Sequence, residues 1–404
     1  MNNNTLYWIW LQKALGEGAR IKEIVEDFGS AKALYESNIL EWRMSPSLVP
    51  KQINRLQSVT LEDAQIIKDD CDKNGWQIIT YEDEKYPNRL KEIINPPAVL
   101  YVDGEFPNVD NEVLIAMVGT RKASDYAIKV TDIMSRGVSE CGAVVVSGGA
   151  LGVDASAHRG AILSGGRTIA VLGCGLGTNY LLENKSLRES IKHNGALVTE
   201  YPPFTKPSKY TFPMRNRIIS GLSLGVLVVE AGVKSGSLIT AEFALQQNRD
   251  VFAVPCSILS SEFSGTNKLI DDGAYVVTKP LDLLSPYAEM YNLDLSKVKS
   301  VQKLMSETAD KSANVTVNKN KISFENLDNS RRQRVKNQKQ ISQLFGNNRL
   351  VYESLTDEFT HIDIIKQNCG LSSSAVLSAL TALEIADLVE SASGKRYKLS
   401  WKEK

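Results

Sequence analysis

The chain has 404 residues, 43% hydrophobic and 23% charged, an ordinary globular composition that can bury the cores of roughly two to four domains. Lysine plus arginine and aspartate plus glutamate stand at 47 each, so the composition argues against a uniformly basic nucleic-acid coat but leaves room for a local basic groove. No apolar run reaches ~18 residues and the first residues show neither a basic n-region nor a small-residue cleavage site, so secretion and membrane spanning are not expected.

Residues 1–75 read as short helices, with apolar positions at helical spacing in LYWIWLQKAL and IKEIVEDFGSAKALY. Two short extended runs between 77 and 101 flank Tyr86-Pro87 and Pro96-Pro97, which suits a leading strand and a rigid connector. From 112 to 278, near-continuous apolar strands alternate with amphipathic helices. The strands are VLIAMVG, AVVVSGG, RTIAVLG, ALVTEY, LGVLVVEA, DVFAVP and YVVT. That alternation predicts a Rossmann-like, doubly wound, mostly parallel α/β sheet covered on both faces, here assigned to residues 76–284.

Residues 285–345 lose the pattern and read as a polar linker, carrying the basic run Arg331, Arg332, Arg334, Lys336 and Lys339. Residues 346–404 read helix, turn, helix and a hairpin around Ser393-Gly394, which is winged-helix syntax. The second helix, SSSAVLSALTALEIADL, has no arginine or lysine to present to bases and phosphates, so protein contact is expected there.

In an open parallel sheet, ligands bind beyond the carboxyl ends of the strands. Here that edge carries Gly119-Thr120-Arg121-Lys122, the loop from Ser147 to Asp154, the loop from Gly173 to Asn179, Phe212 to Arg217, and Glu230 to Ser237. Several of these loops join glycine or serine to a helix start, where backbone N–H groups are free to meet an anion. With Arg121, Lys122, Lys185, Lys209, Arg215, Arg217 and Lys234 beside them, they predict a site for phosphates spread along a polymer.

Other chemistries leave no trace. The segment from Gly173 to Thr178 resembles part of a dinucleotide fingerprint but follows the third strand, and no Walker P-loop occurs. The five cysteines have no C-x-x-C spacing and the histidines are only three, so no metal site is expected and the cysteines fit a reducing cytosol. His158 stands beside no nucleophile motif and reads as packing, and Asp154 as a helix cap. Glu200 and Glu230 end strands and read as partners of loop backbone. No catalytic residue and no cofactor are assigned.

Read in order, YPNRLKEIINPPAVLY, VGTRKAS, SGGALGVDASAHRGAI, FPMRNRIISGLS, VVEAGVKSGSLITAEFALQQNRDVFAVP and NKLIDDGA resemble the DNA-processing protein A (DprA/Smf) family. The resemblance implies a cytoplasmic protein that binds single-stranded DNA and helps load RecA recombinase during natural transformation and recombination. It also implies a homodimer through the Rossmann-like domain, a sterile-alpha-motif-like helical domain ahead and a winged helix behind. It places the DNA contact on Arg121, Lys185 and the segment containing Phe212, Arg215, Asn216 and Arg217, with Ser147, Gly148 and Gly149 lining a backbone pocket. Lys209, Lys234 and Ser235 complete the expected DNA-binding set on the same edge. The chain departs from the family where G-L-D-x-x-Y-P becomes Gly175 to Leu181 and where V-P-G becomes Val254-Pro255-Cys256. Two other readings stand beside this one. A nucleotide phosphoribohydrolase of the related lysine-decarboxylase-like family would need P-G-G-x-G-T-x-x-E where Ala231 to Ser237 stand, and a nucleotide sensor would need a closed pocket.

Overall fold

Runs of valine, isoleucine and leucine that are apolar at every position are buried on both faces, and in this chain they form the middle of a nine-stranded sheet. The computed structural model describes residues 4–400 apart from 17, 181, 261–262, 300, 302, 306–343, 345, 357–358, 387 and 393–394. It divides into two units, Met1–Ala313 and Asn314–Lys404.

In the first unit the strands are β1 (Gln77–Thr80), β2 (Val99–Gly104), β3 (Leu114–Val118), β4 (Val144–Ser147), β5 (Thr168–Val171), β6 (Gly195–Thr199), β7 (Gly225–Val228), β8 (Asp250–Ala253) and β9 (Tyr275–Val276). Their spatial order is β1-β2-β6-β5-β4-β3-β7-β8-β9. All pairs from β6 across to β9 are parallel, while β1 and β2 join antiparallel beside β6. The chain winds outward from β3 to β6, then crosses to the other side of β3 for β7 to β9. This reversal makes the sheet doubly wound, as expected, and places the ligand crevice at the carboxyl ends around β3.

Six helices come first: α1 (Asn4–Leu15), α2 (Ile21–Phe28), α3 (Ala31–Glu36), α4 (Ile39–Met44), α5 (Pro50–Ser58) and α6 (Leu61–Asn74). Ser30, Asn38 and Thr60 cap three of them through their side-chain oxygens. Their core, around Trp8, Trp10, Ile24, Leu34 and Leu56, continues directly into Val99 and Tyr101 of β2.

After them come α7 (Asn88–Lys91), α8 (Asp125–Glu140), α9 (Val153–Leu163), α10 (Lys185–His193), α11 (Thr211–Leu222), α12 (Gly236–Gln246), α13 (Gly265–Asp271) and α14 (Pro280–Leu284). One face of the sheet packs against α7, α11 and α12, the other against α8, α9 and α14. The expected polar linker does not begin at 285. Tyr287 donates to Asp250 at 2.5 Å, Arg89 donates to the Tyr291 hydroxyl at 3.0 Å, and Leu304 is buried. The apolar positions after 285 keep no single period, Tyr287 and Tyr291 lying four apart and Leu293 and Leu295 two apart, so burial was not legible there. The basic run from Arg331 to Lys339 lies outside the described residues.

The second unit has α15 (Gly346–Glu353), β10 (Thr360–His361), α16 (Ile362–Cys369), α17 (Ser373–Ile385), β11 (Val389–Ala392) and β12 (Arg396–Leu399). The strands pair antiparallel in the order β10-β12-β11, and Val351, Ile365, Val376, Leu380 and Leu383 form the core. This is the expected winged helix, although Ser393 and Gly394 of the hairpin turn lie outside the described residues. No helix among the described residues is long and apolar enough to cross a membrane.

Candidate nucleic-acid interface

At the end of β3 the loop is stapled by backbone. Thr120 N–H donates to Glu230 O at 2.8 Å and Val153 N–H to Thr120 O at 3.3 Å. A side chain at Gly152, where φ is 74°, would drive into the carbonyls of Thr120 and Arg121, so only glycine allows the loops after β3 and β4 to approach so closely. The staple leaves the Arg121 and Lys122 side chains exposed. The Arg121 guanidinium carbon stands 5.3 Å from the centre of the Phe212 ring, a cation–π arrangement. Tyr180 lies 5.1 Å from Phe212 on a plane tilted by 41°. Two loop residues and one from the first turn of α11 thus form one stack.

The loop after β4 does not offer its polar groups outward as expected. Ser147 is fully buried and its hydroxyl donates to Met117 O at 2.6 Å. The N–H groups of Gly148 and Ala150 donate to one oxygen of Asp154 at 3.1 and 3.3 Å. Asp154 therefore braces this loop from inside α9 rather than capping the helix. Burial pushes its carboxyl up from the ordinary range, against the pull of Arg215 and the loop N–H groups. Asn184 donates to the carbonyls of Gly149 and Ala150 at 3.0 and 3.1 Å. That bond anchors the start of α10, whose first residue is the exposed Lys185.

The segment from Phe212 to Arg217 is the first half of a helix, and the helix divides its residues. Arg215 is 4% exposed and donates to Gly148 O at 2.7 Å and to Val171 O. Arg217 is 3% exposed and forms a two-pronged pair with Glu200 at 2.6 and 2.7 Å, while also donating to Asn95 O at 2.9 Å. These two arginines, expected among the DNA contacts, are structural braces, because their guanidinium groups are already spent and out of reach of solvent. Glu200 correspondingly binds a cation rather than loop backbone. Asn216 is partly exposed and donates to Gly236 O at 3.2 Å.

Lys209 and Lys234 are exposed, the former 5.1 Å from the centre of the exposed Tyr210 ring. Ser235 caps α12, accepting from Ser237 N–H. The Glu230 carboxylate accepts from Ser124 N–H at 2.8 Å and Ser124 Oγ at 2.6 Å, as its expected loop-backbone role requires. His158 is fully buried, hydrogen-bonded to the Thr168 hydroxyl at 2.7 Å. Burial, with Arg215 and Arg159 nearby, pushes its imidazole down to about 3, so it stays neutral in the core. Beneath the Phe212 and Tyr180 rings, the crevice lined by Gly149, Leu172, Gly173 and Arg188 encloses about 10 Å³. That is room for one water and not for a nucleotide.

Of the expected residues, then, Arg121, Lys185, Lys209 and Lys234 face solvent and Phe212 joins the stack. Ser147, Gly148, Arg215 and Arg217 hold the frame beneath. Sequence reasoning missed Asn184 and the brace formed by Asp154, whose only trace in the sequence is a short polar side chain beside a glycine-rich loop.

A doubly wound sheet with a cationic, aromatic carboxyl edge, in a chain that also holds a winged helix, defines the class as nucleic-acid-handling α/β proteins. The sequence matches the family described as DNA recombination-mediator protein A over residues 77–288, and the DprA winged helix domain over residues 341–395. The chain belongs to that family, and is a DNA-processing protein. It is 36% identical over 299 residues to the protein Smf of Synechocystis, covering 72% of this chain and 75% of that one. It is 42% identical over 217 residues to the DNA processing protein DprA of Bacillus subtilis, covering 54% and 73% respectively. Among solved structures, DNA processing protein A from Streptococcus pneumoniae superposes with a TM-score of 0.62 at 33% identity, covering 70% of this chain and 98% of that one.

Proposed function

We propose that the carboxyl edge of the sheet binds single-stranded DNA, and that the protein delivers the strand to a RecA-type recombinase during natural transformation and recombination. The observation that carries the reading is the exposed Arg121 guanidinium set over Phe212, with Tyr180 against the same ring. A single strand offers both phosphates for cations and unstacked bases for rings, whereas a duplex hides its base faces. Lys122, Lys209 and Lys234 on loops, and Lys185 at the start of α10, are exposed at the same edge, suit a phosphate backbone and carry no base preference.

Of the groups at this edge that the sequence offers for chemistry, Glu200 pairs with Arg217, Glu230 accepts from Ser124, and His158 is buried against Thr168. These partners support a binder over a phosphoribohydrolase, and the five free, scattered cysteines suit a reducing cytosol. Homodimerisation through the sheet domain has support in β9, an edge strand whose Tyr275 and Val276 are 60% and 48% exposed, in the unit that also exposes Ile258 and Leu259 at 91% each. An unpaired apolar edge is a template for a second copy, and the sedimentation coefficient of the intact chain decides between monomer and dimer. Hand-over to the recombinase is checked by whether the protein speeds filament formation on a strand coated with single-strand-binding protein.

The direct test is fluorescence anisotropy with labelled single-stranded and duplex oligonucleotides over a range of salt. Three to five neutralised phosphates at roughly 0.7 log units each give a slope of about −2 to −3.5 for the single strand, with weaker duplex binding. A slope near zero, or equal affinity for the duplex, overturns the reading.

A further inference from the structure

Phe204 occupies a backbone conformation that its side chain disfavours. Its φ is 62°, in the left-handed region, and the residue is 51% exposed. Thr205 N–H donates to Pro202 O at 3.1 Å, closing a four-residue turn with Pro203 second and Phe204 third. Positive φ at the third position marks a type II turn, where glycine is the favoured residue. A bulky aromatic there is an outlier, and strain of this kind gathers at functional sites. Burial does not account for it, since half of the residue remains in solvent.

The ring is nevertheless firmly seated. A side chain at Gly177 would run into the Phe204 ring, so that ring rests on bare backbone. Trp76 stands 6.1 Å away, its plane tilted by 57°, and Gly175 N–H ties the turn to the loop after β5 by donating to Thr205 O at 2.9 Å. Four residues before Gly177, Gly173 seats the Phe212 ring in the same way. One loop therefore carries two glycine seats for two aromatic rings from the segment that follows β6. Between those rings the chain also exposes Lys206, Lys209 and Tyr210. Alternating rings and cations match a polymer whose bases and phosphates alternate.

We propose that Phe204 is a second base-stacking platform, extending the single-strand track from the Arg121–Phe212–Tyr180 stack towards Trp76. The inference rests on the single-strand reading given above. A ring that served only to cover Gly177 would stabilise the fold, and its loss would lower stability. A ring kept for the ligand stabilises the complex, and its replacement by glycine relieves the turn.

The test is Phe204→Gly in the full chain, beside Phe204→Trp and Arg121→Ala, with thermal unfolding and anisotropy on short and long oligothymidylates. Phe204→Gly is expected to unfold at the same temperature as the parent or higher. Its affinity for the long strand is expected to fall about tenfold, the scale of one lost base stack. The salt slope should not change, because no cation is removed, and Phe204→Trp should bind like the parent. Unchanged affinity in Phe204→Gly, with Arg121→Ala still weakened, overturns this inference and leaves the single-strand reading standing. A lower unfolding temperature in Phe204→Gly, with affinity intact, assigns the ring to packing. No binding by the parent, or no effect of Arg121→Ala, overturns the single-strand reading and this inference with it.

Discussion

Arg217→Ala is expected to destabilise the first unit by about 3–5 kcal/mol, the cost of leaving a buried charge without its partner. Arg217 and Glu200 are both almost wholly buried and meet through two bonds of 2.6 and 2.7 Å. The pair is also a junction. Arg217 reaches Asn95 O at 2.9 Å, while Gln12 of α1 donates to Glu200 O, so one ion pair joins the N-terminal helices, the connector before β2 and the helix that begins at Thr211. Urea unfolding followed by circular dichroism measures the loss. Removing both charges at once, as Glu200→Leu with Arg217→Met, is expected to recover much of it, since a buried pair is often matched by apolar residues of similar volume. A single variant as stable as the parent would show that solvent reaches the pair.

Arg121→Ala combined with Lys185→Ala is expected to act in the opposite way, with unfolding unchanged and binding of single strands reduced about a hundredfold at low salt. Each charge-assisted contact is worth about 1.5–3 kcal/mol, so two lost contacts reach that size. The side chains are exposed on segments held by other groups, Arg121 on a loop fixed by the backbone staple at Thr120 and Lys185 at the start of α10 anchored by Asn184, so the frame survives their removal. The salt slope should become shallower by about 1.4, the share of two phosphates. A drop in affinity with an unchanged slope would mean that the loss came through Phe212, whose ring Arg121 covers, rather than through phosphate contact.

These two predictions separate arginines that look alike in the sequence. Arg121, Arg215 and Arg217 all stand beyond the carboxyl ends of strands, and the charge pattern alone put all three at the ligand. The strands themselves were legible because doubly buried parallel strands must be apolar throughout, as Leu114–Val118 and Val144–Ser147 are at nearly every position. The loop edge followed from them, since loops after parallel strands share one side of the sheet. The linker boundary was not legible, because the apolar positions from Tyr287 to Leu304 keep no single helix or strand period, while Tyr287, Tyr291 and Leu304 each still find a partner or a buried site in the folded unit.

By itself, the sequence determined the doubly wound sheet, the winged helix, the ligand edge and the family, all of which follow from local patterns and ordered motifs. Only the tertiary structure decided which polar groups on that edge are free. Thr211–Leu222 forms a helix, so Arg215 and Ile218 share its inward stripe with Leu222, and the charge of Arg215 is spent on the carbonyls of Gly148 and Val171. The turn at Pro202 to Thr205 holds Phe204 out over Gly177, a position that no pattern of residue types announces. Residue type states what a side chain can bind, but whether it binds ligand or its own protein depends on backbone brought close by distant parts of the chain.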